Sequence, residues 1–335
     1  MIRLLTLNLQ HGLPGPGALH DPATAALAEA TITEAAVARR VLAALADQLS
    51  EIGPDVIALQ EVDLGQARSG RLNQTAELAR ALGWSGYRFA ATYAGAVTGL
   101  RRRPLRSALS SPADDVLGPA RVAAGLPVAG FGNALLTRLP VESWSVQRLG
   151  RGPALVTRRG EPWWDPRSYK VFTATARGQL AATVRVPGWR EPLTVSTAHL
   201  ATRGDVAARQ LAAAWAALAT RPGAHVLAGD LNLRSSRLRE LGLAREVGEG
   251  PTYPSGRLSH RIDHLLTDPW PVGADGSPLT ASHLGGAGGA QSGAGEAGAV
   301  GVRPVLRAVA WSVRELVVSD HAATWVDLEA AGTRA

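Results

Sequence analysis

The sequence predicts an α/β sandwich, in which two mainly antiparallel β sheets pack face to face and helices cover them from outside. Three observations carry this expectation. Short apolar runs recur along the whole chain. Helical periodicity appears between only some of them. Several runs, such as Asp55–Gln60 and His225–Leu231, read as buried strands and not as half-solvated ones. The length, 335 residues, would by itself suggest two domains, but layered sandwiches run past about 250 residues as one. The expectation is a single domain over residues 1–330, with 46% apolar residues as ample core material.

From the N-terminus, residues 2–9 alternate loosely and read as the first strand. Residues 10–32 hold Gly12, Pro14, Gly15, Pro16 and Gly17, a loop signature. From Thr33 to Ile52 the residues Val37, Val41, Leu42, Leu45, Leu49 and Ile52 fall at helical spacing; Thr31 or Thr33 is the candidate cap and Gly53-Pro54 the stop. Asp55–Gln60 follows as a strand, Asn73–Leu82 as a helix ended by Gly83, and Tyr87–Tyr93 as a strand. Residues 94–130, rich in Gly, Pro, Ser and Arg, read as a long loop near the site or at its rim. Asn133–Thr137 and Val141–Leu149 are expected to form a strand pair around Leu139-Pro140. A second irregular stretch, residues 150–170, carries Trp163-Trp164. Leu180–Val186 and Leu193–His199 are strands separated by Pro187-Gly188, and residues 205–220 are helical. His225–Leu231, Ile262–Leu266, Val305–Trp311 and Ala323–Leu328 complete the strands. Residues 273–303 are Gly/Ala/Ser-rich with almost no large apolar side chains. Such a composition cannot offset its ordering entropy, so a disordered insertion is expected, with His283 a solvated loop histidine.

Composition excludes several classes. There is no cysteine, which removes disulfides and thiolate-bound zinc or iron–sulfur sites. The first apolar run is too short for a signal peptide, and no run reaches the roughly 20 apolar residues needed to span a bilayer. The expectation is a soluble, cytoplasmic monomer without stable membrane insertion. The net charge of +7 is compatible with a polyanionic partner. Against that, Lys170 is the only lysine among 35 basic residues in an Ala- and Gly-rich chain, which reads equally as compositional bias.

Five polar clusters stand at the ends of apolar runs, where a rigid scaffold presents functional groups. Thr6-Leu7-Asn8-Leu9 ends a strand in Asn, which suits a turn as well as a site. In Gln60-Glu61-Val62-Asp63 a carboxylate follows a buried run, costly unless paired or metal-bound. Ser196-Thr197-Ala198-His199-Leu200 places a histidine at a strand end, in a structural or a catalytic position. Leu227-Ala228-Gly229-Asp230-Leu231-Asn232 is the strongest signal. Asp230 and Asn232, two apart, are expected on one face of a strand, and Gly229 permits close approach. The fifth cluster has two parts, Ser259-His260-Arg261-Ile262-Asp263-His264 and Ser319-Asp320-His321, suited to metal binding and imidazole chemistry together.

Taken in order, these clusters resemble the endonuclease/exonuclease/phosphatase superfamily, with a DNase I-like fold, from Asn8 to His321. The resemblance implies a four-layered α/β sandwich with the site at one edge, where loops of both sheets meet. It implies a metal at Asn8 and Glu61 with help from Asp320; hard oxygen donors suit Mg²⁺ or Mn²⁺. It implies that Asp230 orients or deprotonates the attacking water and that Asn232 bonds a phosphate oxygen. His321 takes the place of the catalytic histidine, with Asp263 fixing its tautomer and raising its basicity. His199 takes that of a second histidine that contacts phosphate or protonates the leaving group. Asn133 in Gly132-Asn133-Ala134-Leu135-Leu136-Thr137-Arg138 is a phosphate contact or a strand-end residue, and Arg209 is structural or at the rim.

The expected chemistry is metal-dependent hydrolysis of a phosphodiester by in-line attack of water, without a covalent intermediate. A nuclease acting on nucleic acid is the leading expectation. The alternative is a sphingomyelinase-like or other lipid or small-molecule phosphodiesterase. A catalytically dead binding module would have lost some of these positions, and none is lost.

Overall fold

In the computed structural model the described residues are 1–98, 101–104, 124–125, 128–152, 155–158, 162, 164–165, 169–172, 175–269 and 305–331. The expected insertion at 273–303 with His283, Trp163 and most of the 94–130 loop lie outside them.

Two six-stranded sheets form the body. The first runs β13 (Val305–Arg314), β14 (Ala323–Ala331), β1 (Ile2–Asn8), β2 (Val56–Leu64), β4 (Gly130–Thr137), β3 (Gly86–Ala94). The second runs β11 (Arg245–Val247), β12 (Asp263–Thr267), β10 (Ala224–Asp230), β9 (Leu193–Ala198), β8 (Arg177–Val184), β5 (Val141–Gly150). Each sheet has one parallel pair, β1/β2 and β9/β10; every other pairing is antiparallel. A parallel pair needs a crossover, and helices supply it. Helix α2 (Ala35–Ile52) joins β1 to β2, and α4 (Gly204–Ala219) joins β9 to β10. Each unit therefore brings two strand ends to the same edge, Asn8 beside Gln60-Glu61 and His199 beside Asp230.

Three apolar cores separate the layers, and strand periodicity assigns each residue to one of them. Leu4, Val56 and Leu135 of the first sheet face the space between the sheets, with Leu180, Val184, Val195, Val226 and Leu265 of the second opposite. Their immediate neighbours Leu5, Ile57 and Leu136 turn outward onto Val41, Leu45 and Leu49 of α2 and Leu78 of α3 (Gln74–Leu82). Leu227 and Leu266 turn outward onto Leu211, Trp215 and Leu218 of α4 and Leu238 of α5 (Ser235–Leu241). Helix, sheet, sheet, helix is the four-layered sandwich. It explains why these strands are apolar on consecutive residues: both faces are covered.

Local details differ from the sequence expectation in four places. β4 and β5 are not a pair. β4 lies between β2 and β3, β5 pairs with β8, and residues 138–140 carry the chain from one sheet to the other. The link is held by side chains instead of a hairpin ladder: Arg138 Nε donates to Asp55 Oδ1 at 2.7 Å, and Thr137 Oγ1 donates to the Asp55 carbonyl at 3.0 Å. The 150–170 stretch contains a small antiparallel hairpin, β6 (Leu155–Arg158) with β7 (Tyr169–Phe172). The 10–32 segment is partly ordered into tight turns and a four-residue helix α1 (Pro22–Ala25), capped by Asp21. Helix α2 starts after Glu34 with no side-chain cap from Thr31 or Thr33; its stop at Gly53, in the left-handed region at φ +67°, is as expected. Among the described residues, no helix is long and apolar enough to cross a membrane.

Candidate active site

At the edge where β1, β2, β9 and β10 end, an open cleft of about 400 Å³ is lined by Asn8, Glu61, His199, Asp230, Asn232, Asp320 and His321. Asp263 lies directly behind His321. All eight residues singled out in the sequence therefore converge on one place, from both sheets and from the turn before β14.

The backbone here is unusual. Among the described residues, six other than glycine have positive φ, and five belong to this edge: Gln10, His11, Glu61, Asn232 and Ser319. Such conformations cost about 1–3 kcal/mol each and persist where surrounding structure over-determines them. Glu61 owes its direction to a bulge. Leu59 of β2 pairs with Ala134 and Val62 with Gly132, so Gln60 and Glu61 together face the single residue Asn133. Glu61, at φ +53°, is half-exposed toward the cleft in an otherwise buried strand. Gly229 has a different reason. At φ +146° a Cβ would stand 1.9 Å from the Ala198 carbonyl oxygen, so only glycine lets β10 approach β9 just before Asp230.

The side chains form two linked groups. Asn8 Nδ2 donates to Asp230 Oδ2 at 3.0 Å, while Asn8 Oδ1 accepts from the Gln10 amide at 3.0 Å, which fixes the orientation of the Asn8 amide. Asp230 Oδ1 accepts from the Asn232 amide at 3.1 Å. His199 lies between two carboxylates, with Nε2 3.3 Å from Asp230 Oδ2 and Nδ1 3.8 Å from Glu61 Oε1. In the second group His321 Nδ1 meets Asp263 Oδ2 at 2.9 Å, and Thr252 Oγ1 donates to the same oxygen at 2.6 Å. His321 Nε2 is left facing the cleft, 3.9 Å from Asp230 Oδ2 and 3.9 Å from Asp320 Oδ1.

These surroundings displace the titrations. Burial, with Asp263 nearby, pushes the Asp230 carboxyl up to about 7. Burial alone would lower His321, but the hydrogen-bonded Asp263 carboxylate and the nearby Asp230 overcome it and push the imidazole up to about 9. His199 goes the other way. Burial, Arg177 and His321 hold it well below the ordinary imidazole range, so it is neutral. Partial burial raises Glu61, and Asp320 adds to the effect. The cleft thus holds a carboxyl poised near neutrality, one imidazolium and one neutral imidazole.

Two sequence expectations are corrected in detail. The strand ends at Asp230, so period-2 geometry does not set Asn232 beside it. Asn232 reaches the cleft through a left-handed turn at φ +51°, its Nδ2 donating to the Leu200 carbonyl at 3.1 Å. Asn133 does not line the cleft; its buried amide donates to the Gly178 carbonyl at 2.9 Å. Arg209 is exposed, 3.6 Å from Asp205, while the neighbouring Gln210 accepts from the Ala201 amide at 2.9 Å and steadies the turn after His199.

The sequence reading missed Arg177 and Tyr253 and named His260 only within the fifth cluster, without a role; all three also line the cleft. Arg177 opens β8 with no spacing signal around it; among the described residues nothing accepts a hydrogen bond from or pairs with its guanidinium, which feels the Asp230 and Glu61 charges. Tyr253 packs its ring 4.7 Å from that of His321 and 5.3 Å from that of His260. The only local signal for it is the polar–aromatic–proline run Thr252-Tyr253-Pro254.

Two arrangements of metal-binding donors are present. Asp230, Asp263 and His321 offer ligand atoms within 4.8 Å of one another, a possible acidic/His site. Asn8, Glu61 and Asp320 add oxygen donors to the same cleft. There the donor set fits a hard cation: two carboxylates face one cleft, and the charge of Asp320 raises Glu61.

A family profile described as endonuclease/exonuclease/phosphatase family matches residues 5–321. No curated protein matches the sequence. Solved structures do match in fold. An endonuclease/exonuclease/phosphatase from Beutenbergia cavernae DSM 12333 is 19% identical with a TM-score of 0.53, covering 99% of this chain and 72% of that one. D. rerio TDP2 complexed with single strand DNA product is 13% identical with a TM-score of 0.51, covering 98% of each chain. A Bacteroides thetaiotaomicron VPI-5482 mannosyl-6-phosphatase is 12% identical with a TM-score of 0.53, covering 98% of this chain and 100% of that one.

Proposed function

The chain belongs to the endonuclease/exonuclease/phosphatase family, and on that premise we propose that it is a divalent-metal-dependent phosphodiesterase acting on nucleic acid. One observation carries the reading: a carboxyl poised near neutrality, Asp230, and an imidazolium, His321, stand 3.9 Å apart in one small cleft. Phosphodiester hydrolysis by water needs a base on one side of the phosphorus and an acid or cation on the other.

Asp230, oriented by Asn8 and the Asn232 amide, accepts the proton of the attacking water. His321, held by Asp263 with Nε2 toward the cleft, donates a proton to the leaving oxygen. Neutral His199, the side-chain amide of Asn232 and the Arg177 guanidinium bind the phosphoryl oxygens. A cation is held by Glu61, Asp320 and Asn8. His321 is engaged by Asp263 and protonated at neutral pH, so the Glu61–Asp320–Asn8 set is preferred over the Asp230–Asp263–His321 group. Bound there, Mg²⁺ or Mn²⁺ supplies neutralisation of charge on the phosphoryl group.

Nucleic acid is preferred over lipid for two reasons. Beside Glu61, arginines and aromatic rings interleave, with Arg101 4.7 Å over the Tyr93 ring and Arg68 5.4 Å over that of Phe131. On the other wall, Tyr253 and His260 offer ring faces next to His321. The fold is shared with a DNA-bound TDP2, and equally with a sugar phosphatase, so the substrate must be tested directly. The test is a panel of plasmid DNA, RNA, sphingomyelin, mannose 6-phosphate and bis-p-nitrophenyl phosphate, each with Mg²⁺, Mn²⁺, Ca²⁺ or EDTA. Metal-dependent cleavage of DNA or RNA is expected. Hydrolysis of lipid or sugar phosphate alone would overturn the nucleic-acid assignment, and activity indifferent to EDTA would overturn the metal.

A further inference from the structure

Arg177 is a guanidinium in the cleft without a partner of its own among the described residues, so something else must aim it. It is the first residue of β8. The β8–β9 ladder stops one turn of the pleat later, at Gln179 paired with Ala198, and the β5–β8 register shifts between Arg148 and Gly150 beside it. The end of β8 that carries Arg177 is therefore held within its own sheet on one side only, by Arg148 and Gly150 of β5.

The other sheet supplies a second hold. Asn133, in the middle of β4, is buried, and its Nδ2 crosses between the sheets to the carbonyl of Gly178 at 2.9 Å. Asn133 is also the residue that stands opposite the two-residue bulge of Gln60 and Glu61 in β2. One side chain thus ties the strand facing Glu61 to the peptide next to Arg177. An adjacent bond does the same for the histidine: Gln60 Nε2 donates to Thr197 Oγ1 of β9 at 2.9 Å, two residues before His199.

We propose that Asn133 is a positioning residue, which sets the Arg177 guanidinium against Glu61 by a hydrogen bond from one sheet to the other. It touches no substrate; it acts through the backbone at Gly178. A cation tethered by a long, flexible side chain binds a phosphoryl oxygen well only if its root is fixed, and an error of about 1 Å at such a group costs on the order of 10²-fold in rate. The inference rests on the phosphodiesterase reading for its kinetic test, so it is given a second readout that does not depend on activity.

The variant is Asn133→Asp, which keeps the shape and removes the donor; Asn133→Ala replaces it if the aspartate variant is not folded by circular dichroism. With bis-p-nitrophenyl phosphate and Mg²⁺, kcat/KM is expected to fall roughly tenfold in the otherwise native enzyme. In an Arg177→Gln background the same change is expected to add almost nothing, because there is no guanidinium left to aim. Independently, the Arg177 side-chain Nε–H resonance, identified by its loss in Arg177→Lys, is expected to shift and broaden in the Asn133 variant. Equal losses in both backgrounds, or an unchanged Arg177 resonance, would overturn the proposal. If the native enzyme cleaves no phosphodiester at all, the functional reading fails, and the resonance still decides whether Asn133 orders Arg177.

Discussion

Strand β1 begins at one end of the sandwich and finishes at the other, and the two ends treat charge in opposite ways. At the start, Arg3 makes a bidentate pair with Asp327, with Nε to Oδ1 at 2.7 Å and the second nitrogen to Oδ2 at 2.8 Å. The Arg3 amide donates to Asp55 Oδ2 at 2.7 Å, and Asp55 also takes Arg138. Each charge at this end has a partner of opposite sign. Five residues later the same strand delivers Asn8 into a cleft where Asp230, Asp320 and Glu61 converge with three imidazoles and two arginines. Asp263 Oδ1 has no hydrogen-bond partner there, and five left-handed non-glycine residues crowd together. The paired end stabilises the fold; the cleft end is kept reactive by leaving charge uncompensated, at the expense of stability. Variants at the two ends should therefore separate activity from stability.

The largest expected effect is at Asp230. Asp230→Asn removes the base but keeps the shape, and kcat/KM on bis-p-nitrophenyl phosphate should fall by roughly 10²–10⁴-fold. The thermal midpoint should hold or rise, since a desolvated carboxylate is removed. Retained hydrolysis would break the comparison at its centre. Next comes the cation. Glu61→Gln should raise the Mg²⁺ concentration for half-maximal activity by roughly 10–100-fold, read from a metal titration, and EDTA should abolish native activity.

The paired end should show the reverse pattern. Arg3→Ala should lower stability by about 1–3 kcal/mol in urea unfolding, because it strands the buried Asp327 carboxylate, and leave kcat/KM unchanged. A loss of activity of the same size as the loss of stability would show that the two ends are not separable.

The smallest effect concerns pH in EDTA-treated protein. His321 rises from 6.5 to about 9 on folding, so its contribution is fully present below 6.5 and is lost as pH rises through about 9. Asp230 rises from 3.8 to about 7, so the folded state favours its protonated form and loses stability as pH climbs from about 4 to about 7. Both slopes have the same sign. Asp230→Asn should flatten the acid part of the stability profile relative to native protein, and His321→Asn the alkaline part. A variant profile parallel to the native one would sink that assignment.

The layers were readable in the sequence because consecutive apolar residues such as Leu4-Leu5, Ile57 beside Val56 and Leu265-Leu266 leave no solvent face on a strand. The β4–β5 separation was not readable, because Arg138-Leu139-Pro140 is as short as a hairpin turn and only the Asp55 contacts show that it crosses between sheets. Asn232 reached its expected place by an unexpected route, a turn instead of a strand.

What the sequence determined by itself is the set of chemical groups and their order along the chain: Asn8, Glu61, His199, Asp230, Asn232, Asp263, Asp320 and His321, each at the end of an apolar run. Strand ends are visible locally, since a polar residue must interrupt burial there. What only the tertiary structure decided is how these groups act on one another. Asp230 near neutrality, His321 charged and His199 neutral all follow from burial and from partners up to 222 residues away in the chain, as with Asn8 and Asp230. Arg177 belongs to that second class entirely, and Asn133, visible in the sequence as a phosphate contact or a strand-end residue, owes its bond to Gly178 to it. Electrostatic and hydrogen-bond strength depend on distance and dielectric, and neither quantity exists until the two sheets have closed on each other.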